Sequence, residues 1–315
     1  MIQYLKKVDG VLLQLPELEP GCWINIVASN DKKPVEDLSE ALDIPLDFFI
    51  DSMDVDERSR FERDDDVDLI VLNTPIKNQH HSEFDADYIT VPVGIILLKK
   101  YIITVSTSQT PVIDYFINRH VKDFDPSNFT DFILRIFNQT VYYFQLYLKR
   151  INHQRNLYEK ELFNSSRNTE LAKLMNLQKS LVYFVTSLRD NELLMNKVHR
   201  ADLLRIKQDE DASDFLEGVI IDASQAREMS DIYNNILNGT MDAFASIISN
   251  NLNQVMKRLT AVTIVLMVPT LLASFYGMNV HLPFEDHKFA ALYVLLASVV
   301  MAVLVMYIFV RNRLF

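Results

Sequence analysis

The stretch Leu259–Met278 reads LTAVTIVLMVPTLLASFYGM, and ten residues later Phe289–Val310 reads FAALYVLLASVVMAVLVMYIFV. Neither contains a charge. At a rise of about 1.5 Å per residue each spans roughly 30 Å, the hydrocarbon thickness of a bilayer. Two such runs near the end of the sequence predict two transmembrane helices. Lys257 and Arg258 precede the first, and Arg311 and Arg313 follow the second. The connecting loop, 279–288, carries Glu285, Asp286 and a single lysine. Basic flanks stay on the cytoplasmic side, so both termini are expected in the cytoplasm of a two-span cell-membrane protein. The apolar run Val11–Leu15 is too short for a signal peptide, and sequons such as Asn128-Phe129-Thr130 then lie on the unglycosylated side.

Working outward, proline use divides the remainder. Eight of the ten prolines lie at or before Pro126, and none falls between Ser127 and Val268. That proline-free run predicts long helices. Phe129–Phe163 and Thr169–Val198 read as an antiparallel pair separated by the turn cluster Asn164–Asn168. After the acidic Asp209-Glu210-Asp211, Ser213 or Asp214 is the expected cap of a helix starting near Phe215. It meets no stop signal before Pro269, and even that residue need only kink it. Continued to Met278, it exceeds 60 residues and reaches roughly 100 Å. Such a helix must pack against neighbours, such as further copies of itself.

Before residue 120 the pattern is mixed. Trp23–Ala28, Val67–Leu72, Val93–Leu98 and Tyr101–Val105 read as strands, with Lys99-Lys100 as a hairpin turn. Val35–Leu42 and Leu46–Met53 read as short helices. The expected fold is therefore of the α+β class. A cytoplasmic α/β domain (1–120) is followed by a helical hairpin (121–212) and a stalk helix (213–278) that includes the first span. An external loop (279–288), the second span (289–310) and a cytoplasmic tail (311–315) complete the chain.

The first span carries a stripe. At alternating steps of three and four lie Asn253, Met256, Thr260, Thr263, Met267, Thr270, Ser274 and Gly277. All are small, polar or soft. The other faces carry Leu259, Val262, Ile264, Leu266, Leu271 and Leu272. A polar stripe belongs against protein or water rather than lipid. It is either a packing seam or a pore lining shared among subunits; the second span has no comparable stripe. Neither span holds a carboxylate, so a cation passing through keeps its water. That suits Mg²⁺, which dehydrates reluctantly. Met256, Leu259 and Met267 are placed to constrict such a tube by dewetting.

Composition narrows the function. Lys and Arg total 31 against 42 Asp and Glu, a formal charge of −11. This excludes a nucleic-acid binder, which needs basic surface. The single cysteine, Cys22, excludes a disulfide framework and reads as core beside Trp23. The acidic segment Asp54–Asp68 reads as a surface ion-pair network through Arg58, Arg60 and Arg63. Its rival is the metal cluster of a membrane-anchored hydrolase. His80-His81 reads as a solvated loop. Glu285 and Asp286 either solubilise the loop or concentrate cations at an external mouth.

At the end of the first span stands Tyr276-Gly277-Met278-Asn279. This resembles the CorA-type magnesium transporters, whose signature is Gly-Met-Asn at that point. The likeness runs through Asn253–Asn279 and more loosely through Cys22–Asn25, Asp56–Glu62 and Gly94–Val105. It implies a non-enzymatic, homopentameric funnel carrying Mg²⁺ passively inward, with Zn²⁺ or Co²⁺ as the alternative cargo. In that reading Gly277, Met278 and Asn279 form the selectivity filter, with the Asn279 ring holding hydrated Mg²⁺. Asn253 forms an inner polar ring, Met256, Leu259 and Met267 form the gate, and Thr270 is the pore threonine. The family's cytoplasmic Mg²⁺ sensor maps onto Asp51. Its partner position falls near Gly218, where Glu217 or Asp222 would substitute. The loop reads Leu282-Pro283-Phe284-Glu285 where the family has Met-Pro-Glu, and the tail Arg311-Asn312-Arg313 is less basic than the family's.

Overall fold

The computed structural model describes residues 1–28, 33–79, 85–119, 121–122, 124–165, 168–278 and 289–311. They form two compact units, Met1–Gly239 and Thr240–Phe315. The chain opens with strands β1 (Ile2–Val8) and β2 (Val11–Leu15). Asp9 and Gly10, with φ of 50° and 82°, turn between them and set Val8 opposite Val11. Two successive positive-φ residues make a two-residue hairpin whose twist matches the strands.

There follow β3 (Trp23–Val27), α1 (Lys33–Leu42), α2 (Leu46–Ser52), β4 (Arg60–Asp64), β5 (Val67–Lys77), β6 (Tyr88–Leu97), β7 (Ile102–Ser106) and α3 (Pro111–Asn118). The strands form one sheet in the order β2-β1-β3-β7-β6-β5-β4. Among the described residues only the β3–β7 pair is parallel. The Lys99-Lys100 turn closes the β6–β7 hairpin through the Leu98 N–H to Tyr101 carbonyl bond of 2.9 Å. The expected strands are present, longer at β5 and β6. Strands β1, β2 and β4 add to them.

Helices cover both faces of the sheet. Ile24, Ile26, Leu69, Val71, Ile103 and Val105 point to α1 and α2. Trp23, Ile70, Leu72, Val93, Ile95 and Ile102 point to the opposite core. That core takes in α3, α4 (Phe129–Ser165), α5 (Asn168–Arg200) and the first turns of α6 (Glu210–Tyr276). Burial on both sides explains why the central strands read as continuous apolar runs.

Polar anchors fix these layers. Trp23 Nε1 donates to Thr104 Oγ1 at 2.8 Å, and that hydroxyl donates to Asn25 Oδ1 at 2.9 Å. The indole also meets the Phe132 ring edge-on at 4.8 Å. Asn191 of α5 accepts from the Asn73 N–H at 3.1 Å and donates back to its carbonyl at 2.8 Å. Helix and strand are thus joined through both backbone polar groups of Asn73. Cys22 and Trp23 are fully buried, as expected.

Helix α6 begins at Glu210, earlier than the Ser213 or Asp214 cap implied. The reason is Asp209, whose Oδ1 accepts from the Ala212 N–H at 3.1 Å. The acidic triplet is therefore the cap and first turn, where carboxylates favour the positive end of the helix dipole. The helix continues for 67 residues and passes through Pro269. Helix α7 (Ala290–Arg311) is the last element among the described residues.

One glycine sets the spacing of a layer. A Cβ on Gly94 of β6 would lie 1.8 Å from Ser52 Oγ, at the end of α2. We expect Gly94→Ala to destabilise the full-length protein by about 1–3 kcal/mol through overpacking, read as a lowered unfolding temperature. Adding Ser52→Gly should recover most of the loss; no recovery would show that the contact does not govern the approach of α2.

Candidate functional site

In the second unit, the membrane-length part of α6 and all of α7 are long and apolar enough to cross a bilayer. They run antiparallel. Phe309 lies beside Thr260, Ala261 and Ile264, while Ala290 and Val294 lie beside Leu272 and Tyr276. On the membrane-length part of α6 the shielded positions are Ala261, Val265, Val268, Pro269 and Leu272; on α7 they are Ala290, Val294, Ser298, Ala302, Val305 and Phe309. Ala261 is 4% exposed and Ser298 6%. Both are small, which lets the backbones approach. The Ser298 hydroxyl bonds back to the Val294 carbonyl at 2.8 Å, so it enters the seam with its proton satisfied.

The stripe lies elsewhere on α6. At about 100° per residue, Thr263, Met267, Thr270 and Ser274 centre roughly opposite Val265 and Leu272. Asn253, Met256, Leu259, Thr260, Thr263, Met267, Thr270, Ser274 and Gly277 are all exposed in the single chain. Met267 is 62% exposed. The stripe is therefore not the seam between α6 and α7 of one chain. Thr263 Oγ1 donates to the Leu259 carbonyl at 2.9 Å and Thr270 Oγ1 to the Leu266 carbonyl at 3.0 Å. Each hydroxyl spends its proton within the helix and keeps an oxygen able to accept from water.

At the far end of the stripe α6 stops. The Gly277 N–H is shared between the carbonyls of Ala273 at 3.0 Å and Ser274 at 3.2 Å, and the Met278 N–H reaches Phe275 at 3.2 Å. This tightened last turn leaves late carbonyls without helical donors. Asn279, Glu285 and Asp286 lie outside the described residues, as do His80 and His81.

In the first unit, Asp51 sits at the end of α2 with Oδ2 2.7 Å from Arg60 Nη2. Arg60 also binds Glu57, and Glu62 at 3.1 Å. Burial opposes its charge, but these carboxylates outweigh that and hold the guanidinium pKa above its ordinary value. Arg63 pairs with Asp68 at 2.8 Å and Lys99 with Asp66. The acidic segment is thus interleaved with cations. Glu217 and Asp222 are exposed on α6. Among the described residues of one chain, no three His, Cys, Asp or Glu side chains converge as a metal site.

The model of the family described as CorA-like Mg²⁺ transporter protein matches residues 20–311. The chain belongs to the CorA-like Mg²⁺ transporter family. The cobalt/magnesium transport protein CorA of Methanocaldococcus jannaschii is 27% identical over 296 residues, covering 92% of this chain and 90% of that protein. The Thermotoga maritima protein of the same name is 23% identical, covering 92% and 82%. The complete structure of the CorA magnesium transporter from M. jannaschii superposes with a TM-score of 0.81, over 99% of this chain and 98% of that one, at 23% identity. This CorA-like chain is a membrane transport protein and not an enzyme. The hydrolase reading of Asp54–Asp68 falls with that; within the segment Arg60 and Arg63 hold Glu57, Glu62 and Asp68, and Lys99 holds Asp66, while Arg58 is in no salt bridge among the described residues.

Sequence reading located the stripe but not the face of α6 that meets α7. The signal available was the small residues Ala261 and Ser298, one on each helix, legible only once the two helices are paired. We expect Ala261→Leu to lower the unfolding temperature of the detergent-solubilised protein, costing about 1–3 kcal/mol by overpacking the seam. The same change at exposed Val262 should leave it nearly unaltered. Equal effects at both positions would remove the assignment of the seam.

Proposed function

We propose that identical copies of this CorA-like chain assemble around a common axis, as the family's homopentamer, with the stripe of α6 lining a pore for hydrated Mg²⁺. The observation that carries this reading is the stripe itself. It is polar or soft along its length and exposed throughout; from Thr263 to Ser274 it lies roughly opposite the face that meets α7, while Thr260 lies beside Phe309 of α7. Facing lipid, those threonines, Ser274 and Asn253 would be costly. Facing a water-filled axis, they hydrogen-bond to the shell of a hydrated ion.

In this reading Gly277, Met278 and Asn279 form the external filter. Amide oxygens from each copy accept hydrogen bonds from ion-bound water, so Mg²⁺ passes without shedding its shell. Asn253 forms a second polar ring toward the cytoplasm, and Met256, Leu259 and Met267 close the path between by dewetting. Glu285 and Asp286, repeated around the mouth, raise the local cation concentration. Both termini are cytoplasmic. Inward movement of a divalent ion at 100 mV releases about 4.6 kcal/mol, so passive influx needs no nucleotide. Co²⁺ shares this path, since the relatives are named for cobalt as well as magnesium; Zn²⁺ is the alternative cargo.

Closure by cytoplasmic Mg²⁺ would use Asp51 of one copy with Glu217 or Asp222 of the next. Asp51 already holds Arg60, so Mg²⁺ at that position competes with a guanidinium.

The test is ion flux into liposomes containing the pure protein, comparing Mg²⁺, Co²⁺, Ni²⁺ and Zn²⁺. Mg²⁺ should enter, and Asn279→Ala should abolish its entry while the protein stays folded; uptake at the unmodified rate would sink the filter assignment. Asp51→Asn should loosen Mg²⁺-dependent protection from proteolysis. Unchanged protection would rule out Asp51 as a sensor.

A further inference from the structure

A groove lies in the second unit, where α6 and α7 come together at the basic end of the two spans. It encloses about 440 Å³, within the range of small-molecule sites. Asn250, Asn253 and Lys257 line one end, and Ala261, Ile264 and Phe309 line the other. From Lys257 to Ile264 the helix rises about 10 Å. The charge-free run begins at Leu259, so the polar end of the groove lies at headgroup depth and the apolar end within the hydrocarbon.

Charge follows the same division. The whole chain carries −11, yet from Ala243 to Arg311 the described residues include Lys257, Arg258 and Arg311 and no Asp or Glu. None of these three cations is in a salt bridge among the described residues. An acidic protein thus sets uncompensated positive charge at the membrane boundary. Anionic headgroups are drawn to such charge, and basic pockets between spans hold their phosphates. The groove is not the stripe. At about 100° per residue, it centres roughly a quarter turn from the Thr263–Ser274 part. Asn253, Met256 and Thr260 border both, and Asn253 lies before the charge-free run, where it meets headgroups rather than acyl chains.

We propose that this groove seats one anionic phospholipid of the leaflet at the Lys257 end. Its phosphate meets the Lys257 ammonium and accepts hydrogen bonds from the amides of Asn250 and Asn253. Its first acyl methylenes lie against Ala261, Ile264 and Phe309, so that one molecule touches both α6 and α7. A free phosphate ion has no match for the apolar half, which lies at hydrocarbon depth. The inference does not rest on the pore, because it is read by lipid binding and not by flux.

The experiment titrates dioleoylphosphatidylglycerol or dioleoylphosphatidylcholine into the full-length protein in neutral detergent and counts the lipids retained per chain by native mass spectrometry. Saturable retention of one phosphatidylglycerol per chain is expected, with little phosphatidylcholine. Lys257→Gln should weaken retention about fivefold, the worth of one basic side chain near an anionic surface. Lys257 is exposed, so this change leaves the fold intact. Ile264→Trp, which keeps every charge, should weaken retention by filling the apolar end. Arg258→Gln should leave it unaltered, since Arg258 points about 100° away from Lys257 round the helix. Equal losses at Lys257 and Arg258 would mark a diffuse attraction to the surface and overturn the proposal. Retention unchanged by Lys257→Gln, equal retention of the two lipids, or displacement of the lipid by soluble glycerol phosphate would overturn it too. So would side chains of a second copy filling the groove.

Discussion

Within hydrocarbon every backbone polar group must find its partner inside the protein, and every polar side chain must turn toward protein or water. The C-terminal unit follows from that constraint. Helix α6 satisfies its own backbone through the span, apart from the turn around Pro269, which offers no N–H to the Val265 carbonyl. Thr263 and Thr270 return their protons to carbonyls one turn back. Small residues bring α7 close on one side, and the polar stripe is left on the other. A single chain thus has one face already packed and one face that lipid does not suit.

The first unit, Met1–Gly239, obeys a different solvent. Its sheet is covered on both faces, so the central strands are apolar on both sides and inter-layer polar groups must be paired locally. Trp23 with Thr104 and Asn25, and Asn191 with Asn73, are such pairs. Gly94 sets how near α2 comes to the sheet. In the same unit, α6 starts on Asp209, whose carboxylate accepts from the Ala212 N–H and faces the positive end of the helix dipole.

Much of this was legible in the residues, and the gaps have physical reasons. Strands β5, β6 and β7 are apolar runs bounded by turns and were readable. The β1–β2 hairpin was missed although Asp9-Gly10 is a strong turn dipeptide, because its strands mix lysines with apolar residues and β2 sits at the sheet edge, largely exposed. Strand β4, RFERD, has little apolar content; it is a strand because β5 pairs with it. The start of α6 was displaced because Ser213 and Asp214 also resemble caps, and only the hydrogen bond to Asp209 decides between them. Among the candidate site residues, the stripe followed directly from helical spacing. The tie between Asp51 and Arg60 joins residues on α2 and β4, and no local pattern announces it.

By itself the amino-acid sequence determined the two spans, the long helix and the polar stripe. Charge-free length, the absence of proline and a step of three and four are one-dimensional properties. Only the tertiary structure decided which face of α6 receives α7 and which carboxylates are held by arginine. Those depend on distances between residues far apart in the chain, and packing sets such distances where local preference cannot.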